Sequence, residues 1–144
     1  MILFICSQGR MRSRTAELLC LFGGLDARSA GTEADCVSPV NDALLREADE
    51  VFCMEAEHYD SIRDLCHFDS QSVTVLHIRD RYDRLESELV ETLIRVMKQY
   101  RPAIGEDMRQ GALLLAAQPG FYQSLGTYSC APADNPAYRA MPSA

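Results

Sequence analysis

The chain has 144 residues, 47% of them apolar and 24% charged, the size and make-up of one globular domain with a real core. A formal net charge of −7 argues against a general nucleic-acid binder, and no apolar stretch approaches the length of a membrane span. The N-terminus has no basic region and too short an apolar run for a signal peptide.

The first strand is Ile2 to Ile5, four apolar residues ended by Cys6. Ser7 to Arg12 then turns sharply, and Ser13 opens a helix running from Arg14 to Phe22. Residues 25–30 read as a weaker strand ending at Gly31, and 35–39 as a loop. Val40 to Glu47 carries apolar residues at helical spacing. Glu50 to Met54 reads as a central strand, Glu57 to Cys66 as a helix, Val73 to Ile78 as a fourth strand, and Arg79 to Arg84 as a charged loop. Glu86 to Tyr100 has the strongest helical stripe (Leu89, Val90, Leu93, Val96, Met97, Tyr100), and Pro102 stops it.

Strands alternating with helices give a parallel sheet covered on both faces by right-handed crossovers. The expectation is a small three-layer, doubly wound α/β domain over residues 1–101, with a four-stranded parallel sheet. Residues 102–144 fall outside the alternation and read as a C-terminal extension. Within it, 107–118 suits one helix, and the chain from Gly120 onward reads as loosely ordered.

The chemistry is concentrated where the first strand meets its helix. A strand, a tight loop and a helix N-terminus make an anion site, because free backbone N–H groups and the helix dipole converge there. Cys6 stands at one edge and Arg12 at the other. A helix N-terminus and an arginine both favour the thiolate, and the guanidinium fork matches two phosphoryl oxygens. The N–H groups of Ser7, Gln8, Gly9, Arg10 and Met11 are the candidates to wrap the oxyanion. Gly9 supplies a positive φ without strain. Ser13 is expected to donate to the thiolate and to cap the helix. The loop lacks the GxxxxGK[ST] pattern of nucleotide-binding proteins. The plainer alternative is a buried strand cysteine and a solvated arginine. The six cysteines (Cys6, Cys20, Cys36, Cys53, Cys66, Cys130) include no CxxC pair, so neither a metal site nor a redox pair is signalled. A reduced, cytoplasmic protein without cofactor is expected.

The run ILFICSQGRMRS resembles the C-x5-R-S signature of the low-molecular-weight protein tyrosine phosphatases. Further matches are Arg28-Ser29-Ala30-Gly31-Thr32, Ala48 to Glu55, and Asp80-Arg81-Tyr82. The resemblance covers roughly residues 1–101 and is nearest to a short bacterial branch whose loop reads much like CSQNRLRS. Gly9 stands where asparagine is usual. Met11 replaces a second loop cysteine found in many members, which removes a partner for a protective disulfide with Cys6. The resemblance implies strand order 2-1-3-4 and a phosphocysteine mechanism on a phosphorylated protein or small aryl phosphate. It also implies a general acid in a D-P-Y type loop after the fourth strand, matched by Asp80, with arginine in place of the proline. Asp83 is a rival acid and Asp69 a more distant one. Tyr82 would form an aromatic wall beside the pocket, or would be a half-buried loop tyrosine. Arg10, Arg79 and Arg81 would line a basic rim suited to substrates with negative charge beyond the phosphate. Two other functions stay open. A thiol-dependent arsenate reductase would draw on Cys53 and Cys66, and a non-catalytic phosphate-binding module is allowed by the departures at Gly9 and Arg81. No nucleic acid or membrane partner is expected.

Overall fold

The computed structural model describes residues 1–36, 38–65, 72–82 and 86–117. The elements in order are β1 (Ile2–Cys6), α1 (Arg12–Phe22), β2 (Ala27–Gly31), α2 (Asp42–Glu47), β3 (Glu50–Cys53), α3 (Ala56–Ile62), β4 (Val73–Val75), α4 (Ser87–Tyr100) and α5 (Pro102–Ala116). The four strands form one parallel sheet in the order β2-β1-β3-β4, as the resemblance implies.

Alternation along β1 divides the core. Leu3 and Ile5 face one side, with Ala30, Val51 and Cys53 from neighbouring strands and Leu45 and Ile62 from α2 and α3. Phe4 and Cys6 face the other, with Phe52, Met54 and the buried sides of α1, α4 and α5. This is the period-2 geometry of a strand covered on both faces. Phe4 and Phe52 stack with ring centroids 5.5 Å apart, a packing that adds to the area buried. On α4 the stripe reaches the core as Leu89, Leu93 and Met97. α2 begins where the Asn41 side chain accepts from the Leu44 N–H at 3.0 Å, an ordinary N-cap.

Residues 102–116 do not lie outside the domain. Pro102 ends α4 and also occupies the first turn of α5, where its missing N–H costs nothing. Met108 and Leu115 are fully buried in the same cluster as α1 and α4. Gly111 permits the close approach: a Cβ there would lie 2.1 Å from the Leu19 carbonyl oxygen of α1. The expected boundary after residue 101 therefore falls inside one core. The reading of the chain from Gly120 onward lies outside the described residues.

β4 is shorter than expected because His77 adopts a positive φ of 57°. The ladder resumes around it: the Leu76 N–H donates to the Cys53 carbonyl and the Ile78 N–H to the Met54 carbonyl, both at 2.8 Å. His77 is thus an interruption that turns the following chain over the carboxyl end of the sheet, beside the end of β1. Among the described residues no helix is long and apolar enough to cross a membrane.

Candidate active site

β1 delivers Cys6 to the carboxyl end of the sheet, where ligands bind in doubly wound folds. Its side chain is buried at the base of a small cleft lined by Cys6, Ser7, Gln8, Met11, Arg12 and Asp80. Two groups reach the sulfur. Ser13 Oγ lies 3.0 Å from Cys6 Sγ, and the Gly9 N–H donates to it at 3.2 Å. The sulfur thus has a backbone donor and a hydroxyl within hydrogen-bond reach.

The loop is fastened from outside. The Thr32 N–H donates to the Cys6 carbonyl and the Glu33 N–H to the Ser7 carbonyl, both at 3.0 Å. The Gln8 side chain donates to Glu33. Gly9 has φ of 70°, and a Cβ on it would meet the Ala30 carbonyl carbon at 2.8 Å and the Gly31 nitrogen at 2.9 Å. An asparagine at this position would therefore need the β2 backbone to move. Gly9→Ala is expected to cost about 2 kcal/mol or more, a drop of roughly 5 °C in Tm, since it adds the left-handed penalty to a backbone clash. A thermal melt within about 1 °C of wild type would show that the loop adapts freely.

Arg12 is buried despite its charge, and three neighbours set its orientation. Its Nη1 donates to the Ile78 carbonyl at 2.7 Å and to Glu55 Oε1 at 2.5 Å. Its Nε faces Asp80 Oδ1 at 3.8 Å, an ion pair too long for a hydrogen bond. That Nε is buried and has no hydrogen-bond acceptor among the described residues. One edge of the guanidinium is pinned, and a donor on the cleft side stands ready for an oxyanion.

Two residues that sequence reasoning did not single out complete this frame. Glu55 follows β3 and caps α3 together with His58. The Glu55 N–H donates to His58 Nδ1 at 2.9 Å, which assigns the proton of the neutral ring to Nε2. Nε2–H then donates to Ser7 Oγ at 3.1 Å, leaving the Ser7 hydroxyl proton for another acceptor. The reciprocal bonding of residues three apart at a helix start was the available signal, though a glutamate and a histidine are an uncommon pair for it. Glu55, Glu57 and His58 bring ligand atoms within 4.8 Å of one another. However, both ring nitrogens of His58 are engaged and Glu55 is paired with Arg12, so the cluster serves the arginine rather than a metal.

Burial and the Arg12 charge lower the His58 pKa from 6.5 to about 4. The folded protein thus binds fewer protons here than the unfolded chain between pH 4 and 6.5, and stability rises with pH across that window. His58 contributes stability that is present above the unfolded value and is lost as pH falls toward 4. The wild-type Tm is therefore expected to fall more steeply than that of His58→Gln on acidification through this range. Parallel curves would show that the ring is not held neutral.

Other assignments shift. The first turn of α1 begins at Arg12, with no side-chain cap at Met11, so Ser13 does not cap the helix; its hydroxyl faces the thiol instead. Tyr82 is buried in the core cluster and lines a separate cleft rather than the one at Cys6. It is therefore not a wall of the Cys6 cleft. The cause is the apolar side of α4, which draws the ring inward. Arg10 is exposed and does not line the Cys6 cleft. Arg14 is fully buried. Its Nη1 meets Glu17 Oε1 at 2.6 Å, and Ser29 Oγ donates to the same oxygen at 2.8 Å. Burial raises the Glu17 pKa to about 7 against the pull of Arg14. Cys53 is buried in β3, which pushes its thiol up to about 12, a poor start for an electron relay. Asp83, Asp69 and Cys66 lie outside the described residues.

No family model matches the chain, and no curated protein matches it. Solved structures do. The tyrosine phosphatase Wzb from Escherichia coli K30, in complex with phosphate, matches at 22% identity over 74% of this chain and 90% of its own, with a TM-score of 0.53. Wzb of Vibrio vulnificus, in complex with benzylphosphonate, matches at 17% identity over 77% of this chain and 95% of its own, with a TM-score of 0.53. At these identities the likeness concerns architecture. The chain has the fold of these tyrosine phosphatases, the fold that its resemblance to the low-molecular-weight family implies.

Proposed function

We propose that this chain is a low-molecular-weight-type phosphatase, a cysteine-dependent phosphomonoester hydrolase acting on phosphotyrosine through a phosphocysteine intermediate. One observation carries the reading. A buried guanidinium, pinned along one edge by Glu55 and Ile78, holds an unaccepted Nε donor in the same cleft as a thiol that accepts from the Gly9 N–H and lies within hydrogen-bond reach of the Ser13 hydroxyl. A buried donor without an acceptor is costly, and a phosphoryl oxygen would satisfy it. The phosphate and benzylphosphonate in the two Wzb complexes are ligands of the same chemical kind.

In the proposed reaction the loop N–H groups and Arg12 hold the phosphoryl oxygens. Cys6 Sγ attacks phosphorus in line as the P–O bond to the leaving group breaks, and Asp80 gives that oxygen its proton. Asp80 then takes a proton from water as the water oxygen attacks phosphorus and the P–S bond breaks, which returns the thiolate and releases phosphate. Ser13 and the Gly9 N–H stabilise the sulfur when it leaves. Positioning and charge stabilisation do most of the work, as phosphoryl transfer demands.

The test is hydrolysis of p-nitrophenyl phosphate by the purified chain with a metal chelator present. Turnover that chelator does not change supports the reading. No turnover, with inorganic phosphate still bound, would leave a phosphate-binding module. Arsenate-dependent oxidation of thioredoxin would favour the reductase instead.

A further inference from the structure

The loop that carries Asp80 has a second cleft on its other flank. Its volume is about 280 Å³, and it is lined by His77, Ile78, Arg79, Arg81, Tyr82 and Thr92. Among the described residues its lining holds two arginines and no carboxylate, and Glu88 pairs with one of them, Arg81.

The cleft is built rather than incidental. Arg81 is held in place, its Nη2 3.1 Å from Glu88 Oε1 and its guanidinium carbon 5.0 Å from the Tyr82 ring centroid. The buried Tyr82 ring gives an apolar floor. Arg79 is exposed and makes no side-chain hydrogen bond or ion pair among the described residues. His77 keeps a left-handed backbone, with φ of 57°, a strained state that persists only where surrounding structure enforces it and that clusters at functional sites. The cleft is also coupled to the phosphate seat: the Ile78 carbonyl that lines this segment accepts from Arg12 Nη1. Asp80 faces the Cys6 cleft while its neighbours Arg79 and Arg81 line the second one.

We infer that this second cleft is a substrate subsite for the carboxylate of an acidic residue flanking the phosphorylated side chain, with Arg79 as the specificity-determining group. The inference rests on the hydrolase reading for the presence of a phosphorylated peptide, and it assigns where the rest of that peptide goes. Arg79 supplies a free guanidinium fork for the carboxylate, and Arg81, already paired, shapes the wall. Basic flanks would meet like charge at the same place and be refused.

The test uses peptides with one phosphotyrosine flanked on both sides by glutamate or by glutamine, titrated by fluorescence anisotropy against the Cys6→Ser protein. Glutamate flanks are expected to bind about fivefold tighter at low salt, the upper range for an exposed ion pair. The gap should close at high salt and in Cys6→Ser, Arg79→Gln. Arg79→Lys in the same background should restore part of it. Equal affinities for the two peptides, or a gap that Arg79→Gln leaves intact, would overturn the subsite. Turnover of p-nitrophenyl phosphate by the wild-type protein, a substrate with no flank, reads the hydrolase separately. Turnover without a flank preference rejects only the subsite, preference without turnover rejects only the hydrolase, and no binding of either peptide together with no turnover rejects both.

Discussion

Cys6→Ser is expected to lower turnover of p-nitrophenyl phosphate by at least about a thousandfold while phosphate binding is largely retained. A serine hydroxyl is far harder to ionise than a thiol, and among the described residues no carboxylate or imidazole is hydrogen-bonded to the Cys6 side chain. His58 could serve only in name. Its Nδ1 accepts from the Glu55 N–H and its Nε2 carries the proton donated to Ser7. Asp80 faces Arg12 Nε. The groups that bind the oxyanion are separate from the nucleophile, since the guanidinium is oriented by Glu55 and the Ile78 carbonyl and the loop by Thr32 and Glu33. Rates in single turnover, together with calorimetric titration of inorganic phosphate, separate the two effects. A serine variant that kept a tenth or more of the activity would remove Cys6 from the chemistry.

The sheet and the chemistry at its edge were legible because both are local patterns. The apolar runs ended by Cys6 and near Cys53, the weaker segment ending at Gly31, and the first three residues of the run from Val73 to Ile78 coincide with the four strands. The stripe on α4 reads directly as its buried side. What escaped depends on tertiary placement. Pro102 reads as a stop, and only the packing of Met108 and Gly111 against α1 shows that it also starts a helix of the core. Nothing local marks Arg14 as buried, yet Glu17 one turn on pairs with it, and Ser29 from β2 bonds the same carboxylate oxygen. Tyr82 follows Asp80 by two residues, but the two line different clefts. The Glu55 and His58 frame around Arg12 and Ser7 spans more than forty residues of sequence, which no spacing rule connects.

Asp80→Asn should divide substrates by their leaving groups. Aryl phosphates that release a strongly basic phenolate need a proton as the P–O bond breaks, and those that release p-nitrophenolate scarcely do. The expected loss is on the order of a hundredfold for phenyl phosphate and less than about tenfold for p-nitrophenyl phosphate. The geometry supports this role. Asp80 lines the cleft with Cys6, and its side chain is 63% exposed at the mouth, where a leaving group facing away from the sulfur must exit. Binding should move the other way. Asp80 Oδ1 lies 3.8 Å from the Arg12 Nε that a phosphoryl oxygen would claim, so the carboxylate competes with the anion for the same cation. Removing its charge should tighten inorganic phosphate while turnover falls, a split that simple disruption of the site would not produce. Leaving-group series of kcat, set beside phosphate inhibition constants, measure both. An equal loss across leaving groups would move the proton transfer to Asp83 or elsewhere. Weaker phosphate binding would mean that Asp80 orients Arg12 instead of contending with the substrate for it.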